Sequence, residues 1–142
     1  FHNLKYIKEE SSPSIIKIEQ VITKCGGKAE AVFGGFGGAQ LIDELELGSS
    51  GSLVASEFVD ILVKIYEAWN GGAKDEAESI YLRLLPALVY ETKLTFQFWL
   101  SVLQKRGIIE NNISRSTSTF ISEKIHKQID GYIDKLKDLM VV

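Results

Sequence analysis

Leu4-Lys5-Tyr6-Ile7-Lys8, followed at once by Glu9-Glu10-Ser11-Ser12-Pro13, is the stretch on which the fold turns. A short β-prone run ends at Lys8. The next residues supply an N-cap candidate with proline at the first helical position, where its missing N–H costs nothing. The helix predicted from there carries Ile15, Ile18 and Ile22 at helical spacing, with Ile16 and Val21 widening the stripe. Gly26-Gly27 closes it as a C-cap signal. Ala29 to Phe33 is the second predicted strand, and it runs into Gly34-Gly35-Phe36-Gly37-Gly38. Ala39 to Leu47 reads as a shorter helix, with Leu41, Ile42 and Leu45 facing a core and Asp43, Glu44 and Glu46 solvated. Gly48 stops it, and Gly51 to Val54 is a third, brief strand.

From Ser56 the pattern is helical. Phe58, Val59, Leu62, Ile65, Tyr66 and Trp69 mark one amphipathic stripe, ended by Gly71-Gly72. Asp75 to Lys105 is a long helical pattern that Pro86 is expected to kink or break, because its ring clashes with the preceding turn. Asn111 to Thr119 is a polar loop, and Phe120 to Met140 a last amphipathic helix. The order β-α-β-α-β-α, with no hairpin signal, implies parallel strands joined by crossovers. About 27 residues separate Lys5 from Val32, a normal crossover length. Two architectures fit: a doubly wound sheet, or part of a (β/α)8 barrel. A whole barrel needs about 250 residues, so three βα units are at most a portion of one.

Composition narrows the function classes. The chain has 142 residues, 45% hydrophobic and 25% charged, enough to bury a core. A net charge of −3 argues against a broad nucleic-acid surface. No apolar run reaches the roughly 20 residues that span a bilayer, and no secretory pattern opens the chain, so a cytoplasmic location is expected. The single cysteine, Cys25, excludes an intramolecular disulfide and reads as a helix-end thiol. The chain lacks an initiating methionine and opens almost directly on a strand, which suggests a piece of something longer.

Lys8 sits where a strand ends and a loop begins, the edge that faces ligands in α/β folds. Alternation puts Leu4, Tyr6 and Lys8 on one side and Lys5 and Ile7 on the other. A lysine at the end of an inward-facing row would be partly desolvated and available as a nucleophile; a surface lysine gives the same pattern. Four glycines in Gly34–Gly38 let the backbone approach a ligand, though the run lacks Gly-Lys-Ser/Thr and has Gln40 where a dinucleotide fingerprint needs glycine. A strand, glycines and a helix N-terminus could bind an anion or phosphate, or simply make a tight turn. Glu9 and Glu10 fit a solvated loop or acid–base groups. His2 and His126 are too far apart to suggest a metal pair.

Taken together these pieces resemble the dihydrodipicolinate synthase / N-acetylneuraminate lyase family of class I, Schiff-base aldolases. Leu4 to Ser11 is similar to the family's strand-six motif ending in Ile-Lys-Glu/Asp. Val32-Phe33-Gly34-Gly35 resembles strand seven and its glycine turn. Leu47-Gly48-Ser49-Ser50-Gly51-Ser52-Leu53 resembles the segment leading into strand eight. Ala68 to Gly72, with Ala77 and Leu84-Leu85-Pro86, resembles the helices that close the barrel. The resemblance implies the C-terminal portion, about strands 6–8, of a (β/α)8 TIM barrel over residues 1–72, with a C-terminal helical extension over 73–142.

It also implies that Lys8 is the catalytic, imine-forming lysine and that Gly35 and Leu53 line the substrate site, Leu53 through its backbone. The expected activity is that of a lyase or synthase acting on pyruvate or a related 2-oxo acid, with no cofactor and no metal. The expected association is as a homo-oligomer or with the missing N-terminal half. Gly35-Phe36-Gly37-Gly38, one residue longer, replaces the polar pair that often follows the family's glycine, which leaves recognition of the distal substrate groups open. The family's hydroxyl pair and proton-shuttling tyrosine belong to the first half; Tyr66, Tyr81, Tyr90 and Tyr132 lie in helical patterns and do not fill that role. A non-catalytic half-barrel assembly module and an anion-binding α/β domain are the alternatives.

Overall fold

A computed structural model describes residues 3–94, 96–115 and 121–141; His2, the end of the polar loop (116–119) and Phe120 lie outside the described residues. The chain is an α/β protein, mostly helical, that packs as two compact units, Phe1–Val54 and Ala55–Val142.

In the first unit β1 (Tyr6–Lys8) and β2 (Ala31–Phe33) pair in parallel, with Tyr6 opposite Ala31, Ile7 opposite Val32 and Lys8 opposite Phe33. The crossover is α1 (Ser14–Cys25), which buries Ile18 completely and ends on Gly26 in the left-handed region at φ 49°. Its start differs from expectation. Pro13 stands at the N-cap itself, and no serine side chain caps the helix. Ile16 also falls outside the buried stripe, at 54% exposed.

The third strand is reduced to a single parallel bridge between Gly34 and Ser52. Hydrogen bonds from Ser50 N to Val32 O (2.7 Å), Gly34 N to Gly51 O (3.0 Å) and Leu53 N to Gly34 O (3.0 Å) build it. Gly51 takes φ 130°, outside the strand region, and so interrupts a regular ladder. Between β2 and this bridge lie a 3₁₀ turn at Phe36–Gly38 and the short helix α2 (Leu41–Glu46). Leu41, Ile42 and Leu45 are buried as expected, but Glu44 is buried with them and not solvated. It stands three residues after Leu41, which places it on the apolar face of a 3.6-residue helix.

The second unit is helical: α3 (Val59–Asn70), α4 (Lys74–Leu94), α5 (Phe96–Lys105) and α6 (Glu123–Leu136). α3 packs on α4, and α6 packs on α4 and α5. The stripe on α3 is Ile61, Leu62, Ile65 and Trp69, with Phe58 ahead of it; Val59 and Tyr66 face outward. Phe58, Leu84, Leu88, Phe98, Val102, Ile129 and Leu136 complete the interior, and Phe98 meets both Phe58 and Tyr90 with ring centroids 6.1 Å apart. Pro86 does not break its helix. α4 runs through it to Leu94, and Leu82, the residue four positions back whose carbonyl the proline cannot bond, is exposed. α6 starts at a capping serine, with the Ser122 hydroxyl accepting from Ile125 N at 3.4 Å.

Charge is buried in this unit too. Arg106, its side chain 3% exposed, donates to both Asp60 oxygens at 3.0 and 2.6 Å. Burial alone would raise the Asp60 carboxyl, but Arg106 and the Val141 amide hold it below the ordinary range. Glu57 and Glu91 are both buried, and Trp99 donates to Glu91 at 2.6 Å. Desolvation, then the neighbouring charge of Glu91, pushes the Glu57 carboxyl above its ordinary 4.5.

A carboxyl raised in this way binds its proton more tightly folded than unfolded. Its contribution to stability is complete below 4.5 and fades as the pH rises. Thermal unfolding should therefore show stability falling between about pH 5 and about pH 9. Glu57→Gln, which keeps the shape without the charge, should flatten that decline; an unchanged slope would count against the buried pair as its source.

Candidate functional site

The parallel register that sets Lys8 opposite Phe33 also brings the loops leaving the two strands side by side. Glu9 N donates to Phe33 O at 2.8 Å, which carries the ladder one step past β1 and aims Glu10 at the Gly34–Phe36 turn. There Glu10 makes two contacts at once. One oxygen lies 2.8 Å from Lys8 Nζ and the other accepts from Phe36 N at 2.6 Å. The bond from Lys8, together with that from Phe36, holds the Glu10 carboxyl below its ordinary range against partial desolvation. The side chains of Lys8 and Glu10 are 37% and 41% exposed, so the pair sits at the rim of the fold, neither enclosed nor in open solvent.

Gly35 lies directly against this pair. A Cβ at Gly35 would stand 2.2 Å from Glu10 Oε1 and 2.8 Å from Lys8 Cε, so a side chain there would push the Lys8–Glu10 pair aside. It is the close approach of these side chains, and not a positive φ, that favours glycine here. Phe36 is the strained residue. It adopts φ 50°, a conformation that costs a side-chain-bearing residue about 1–3 kcal/mol, and the Glu10 carboxylate on its N–H helps to hold it there.

Three residues singled out in the sequence thus meet unequally. Lys8 and Gly35 are in contact, whereas Leu53 joins the site through its backbone N–H on Gly34 O and leaves its side chain 49% exposed. Two further residues belong to the site without having stood out in the sequence. Ser52 donates its hydroxyl to Gly35 O at 3.2 Å, bracing the turn from the bridge strand. Glu44 reaches the other side of the same turn, where a Cβ on Gly34 would stand 1.8 Å from its carboxylate. Its i+3 spacing from Leu41 is the signal that could have found it.

Glu9 is spent on a local turn, accepting from the Ser11 backbone at 2.8 Å and from its hydroxyl. The glycine run does not offer an anion cradle. Its Phe36 amide is taken by Glu10, and carboxylates flank it at Gly34 and Gly35, so a phosphate would meet negative charge. No group of three or more His, Cys, Asp or Glu among the described residues could hold a metal ion. No helix among them is long and apolar enough to cross a membrane.

Set against known proteins, the chain matches no family model. It is 26% identical over 102 residues to L-2-keto-3-deoxyarabonate dehydratase of Azospirillum brasilense, a stretch that covers 72% of this chain and 33% of that protein. Its structure superposes on dihydrodipicolinate synthase from Rhodopseudomonas palustris with a TM-score of 0.81 and 25% identity, covering 92% of this chain and 45% of the other. In sequence and in fold this chain is similar to the dihydrodipicolinate synthase family. YagE of Escherichia coli K12, a member solved in complex with pyruvate, shows the same fold at a TM-score of 0.76 and 20% identity over 95% of this chain. The chain spans about a third of the length of the curated relative and under half of the solved members.

Glu10→Ala should release both Lys8 and the Phe36 turn. Losing a hydrogen bond to a charged group costs about 1.5–3 kcal/mol, so exchange of the Phe36 amide should accelerate roughly tenfold or more. Unchanged protection at Phe36 would show that the turn does not depend on Glu10.

Proposed function

We propose that the chain is the C-terminal part of a Schiff-base-forming lyase or synthase of the aldolase or dehydratase type, acting on pyruvate or a related 2-oxo acid. The observation that carries this is the position of Lys8. It ends a parallel strand, directly against the glycine that opens the next turn, in a fold shared with a family that includes a keto-acid dehydratase and a protein solved with pyruvate.

Residues 1–72 then correspond to the last three βα units of a (β/α)8 barrel, with α3 its last helix, and 73–142 to the extension. Tyr6, 61% exposed, shares its face of β1 with Lys8; in a closed barrel that face points into the lumen. The second edge of β1 has no strand on it among the described residues, which supports completion by further strands, from an N-terminal half or from another copy in a homo-oligomer. A cytoplasmic enzyme with no organic cofactor and no metal fits this chemistry.

Lys8 Nζ adds to the carbonyl carbon of the 2-oxo acid. Water then leaves, and a protonated imine remains. The cationic nitrogen draws electrons from the neighbouring carbon, so a proton lost there gives an enamine that can form or break a C–C bond or expel a hydroxyl. The ammonium must shed its proton before the nitrogen attacks, so the Lys8–Glu10 pair has to open as substrate enters. Gly35 leaves room for the substrate beside the lysine, and the Leu53 backbone borders it. Holding the ketone in line with Nζ supplies most of the rate gain available from positioning.

The test is trapping. The complete protein, incubated with pyruvate and reduced with borohydride, should gain the adduct mass on the peptide bearing Lys8. Lys8→Arg should abolish the adduct and lower turnover by at least about a thousandfold. A complete, folded protein that trapped no 2-oxo acid would overturn the assignment.

A further inference from the structure

Glu44 is fully buried in α2, and its carboxylate abuts the backbone of Gly34 so closely that even a methyl group there would overlap it. Neither oxygen has a hydrogen-bond partner of good geometry, among the described residues. The adjoining residue, Gly35, abuts the Lys8–Glu10 pair. Two adjoining glycines with no side chains therefore lie one against the buried acid and the other against the amine and its partner.

We infer that Glu44 is the positioning residue of the Lys8 site, holding the Gly34–Gly35 turn and thereby fixing where Lys8 and Glu10 lie. This rests on the Schiff-base assignment of Lys8 and adds a residue to it. A buried carboxyl would be an odd choice for a mere spacer, since an apolar side chain fills space without a desolvation cost. Burial pushes Glu44 up to about 7, outweighing the Gly35 N–H that favours its ionised form. The charges acting on it are those of Asp43 in its own helix and Glu10 beyond the turn, both of which disfavour ionisation. α1, which packs on α2, meets it through the neutral Ser14–Gln40 hydrogen bond. The turn is thus held best below about pH 7 and is strained by a second carboxylate facing Glu10 above it.

The experiment measures the rate at which pyruvate is trapped on Lys8 by cyanoborohydride in the complete protein as a function of pH. The wild type should show an inflection near pH 7. Glu44→Gln, neutral throughout, should lose that inflection and be slowed less than Glu44→Ala, which should fall about tenfold at every pH. Rates and profiles of both variants equal to wild type would overturn the inference. A wild type that traps nothing at any pH would instead bring down the Lys8 assignment. Should Glu44→Gln fail to fold, Gly34→Ala decides: it should slow trapping about a hundredfold alone, yet no further than Glu44→Ala when the two are combined. Losses that multiply would overturn it.

Discussion

Everything at the site depends on the parallel register of Tyr6–Lys8 against Ala31–Phe33. Because the two strands run the same way, their carboxyl ends finish together, and the loops that leave them start as neighbours. Glu10 can then reach Lys8 behind it and Phe36 across from it. A slip of one residue would turn the Lys8 face to the opposite side of the sheet and separate all three groups. The bridge from Gly34 to Ser52 extends the same logic to a third chain segment, using three backbone hydrogen bonds where a full strand would have used more.

Electrostatics gives the two units a common trait. Each buries a carboxyl that a solvated surface would have kept outside, Glu44 in the first and the Glu57–Glu91 pair in the second. For Glu44 and for Glu57 desolvation leads and holds the group closer to its neutral form. Arg106 and Asp60 show the other way of burying charge, with a bidentate partner that keeps the carboxylate ionised. The difference between the two solutions is what the guanidinium bonds: Arg106 pairs with both carboxylate oxygens of Asp60 but bonds Glu57 only at its backbone carbonyl. It decides whether a buried acid answers to pH near neutrality or far below it.

The breadth of the structural match at 25% identity has a physical reason. Apolar spacing and helix stops set the fold, and many sequences satisfy them. Chemistry is less forgiving. A side chain at Gly35 would displace Lys8 and Glu10, and one at Gly34 would displace the buried Glu44, so these positions are tied to the arrangement of the site by ångström-scale clearance. Ser52, Glu44 and the strained Phe36 are the particular means by which this chain supports a turn that begins with those two glycines.

Much of this was legible without coordinates. The strand ending at Lys8, the helix closed by Gly26, the second strand at Phe33 and the helical second half all arise from local periodicity and stop signals, which act over a few residues and leave their mark in the sequence. Pro86 and the shortened third strand were not legible in that way, and the inward side of Glu44 was marked only by its i+3 spacing from Leu41. Whether a proline breaks a helix depends on its surroundings, and whether a six-residue helix buries an acid depends on what covers it. The same holds for the site. Lys8 and Gly35 were marked by residue type and order, but their contact, and the carboxylates of Glu10 and Glu44 on either side of the turn, exist only once two strands far apart in the chain lie in parallel. Local signals decide which elements form; the distances on which the chemistry rests come from packing.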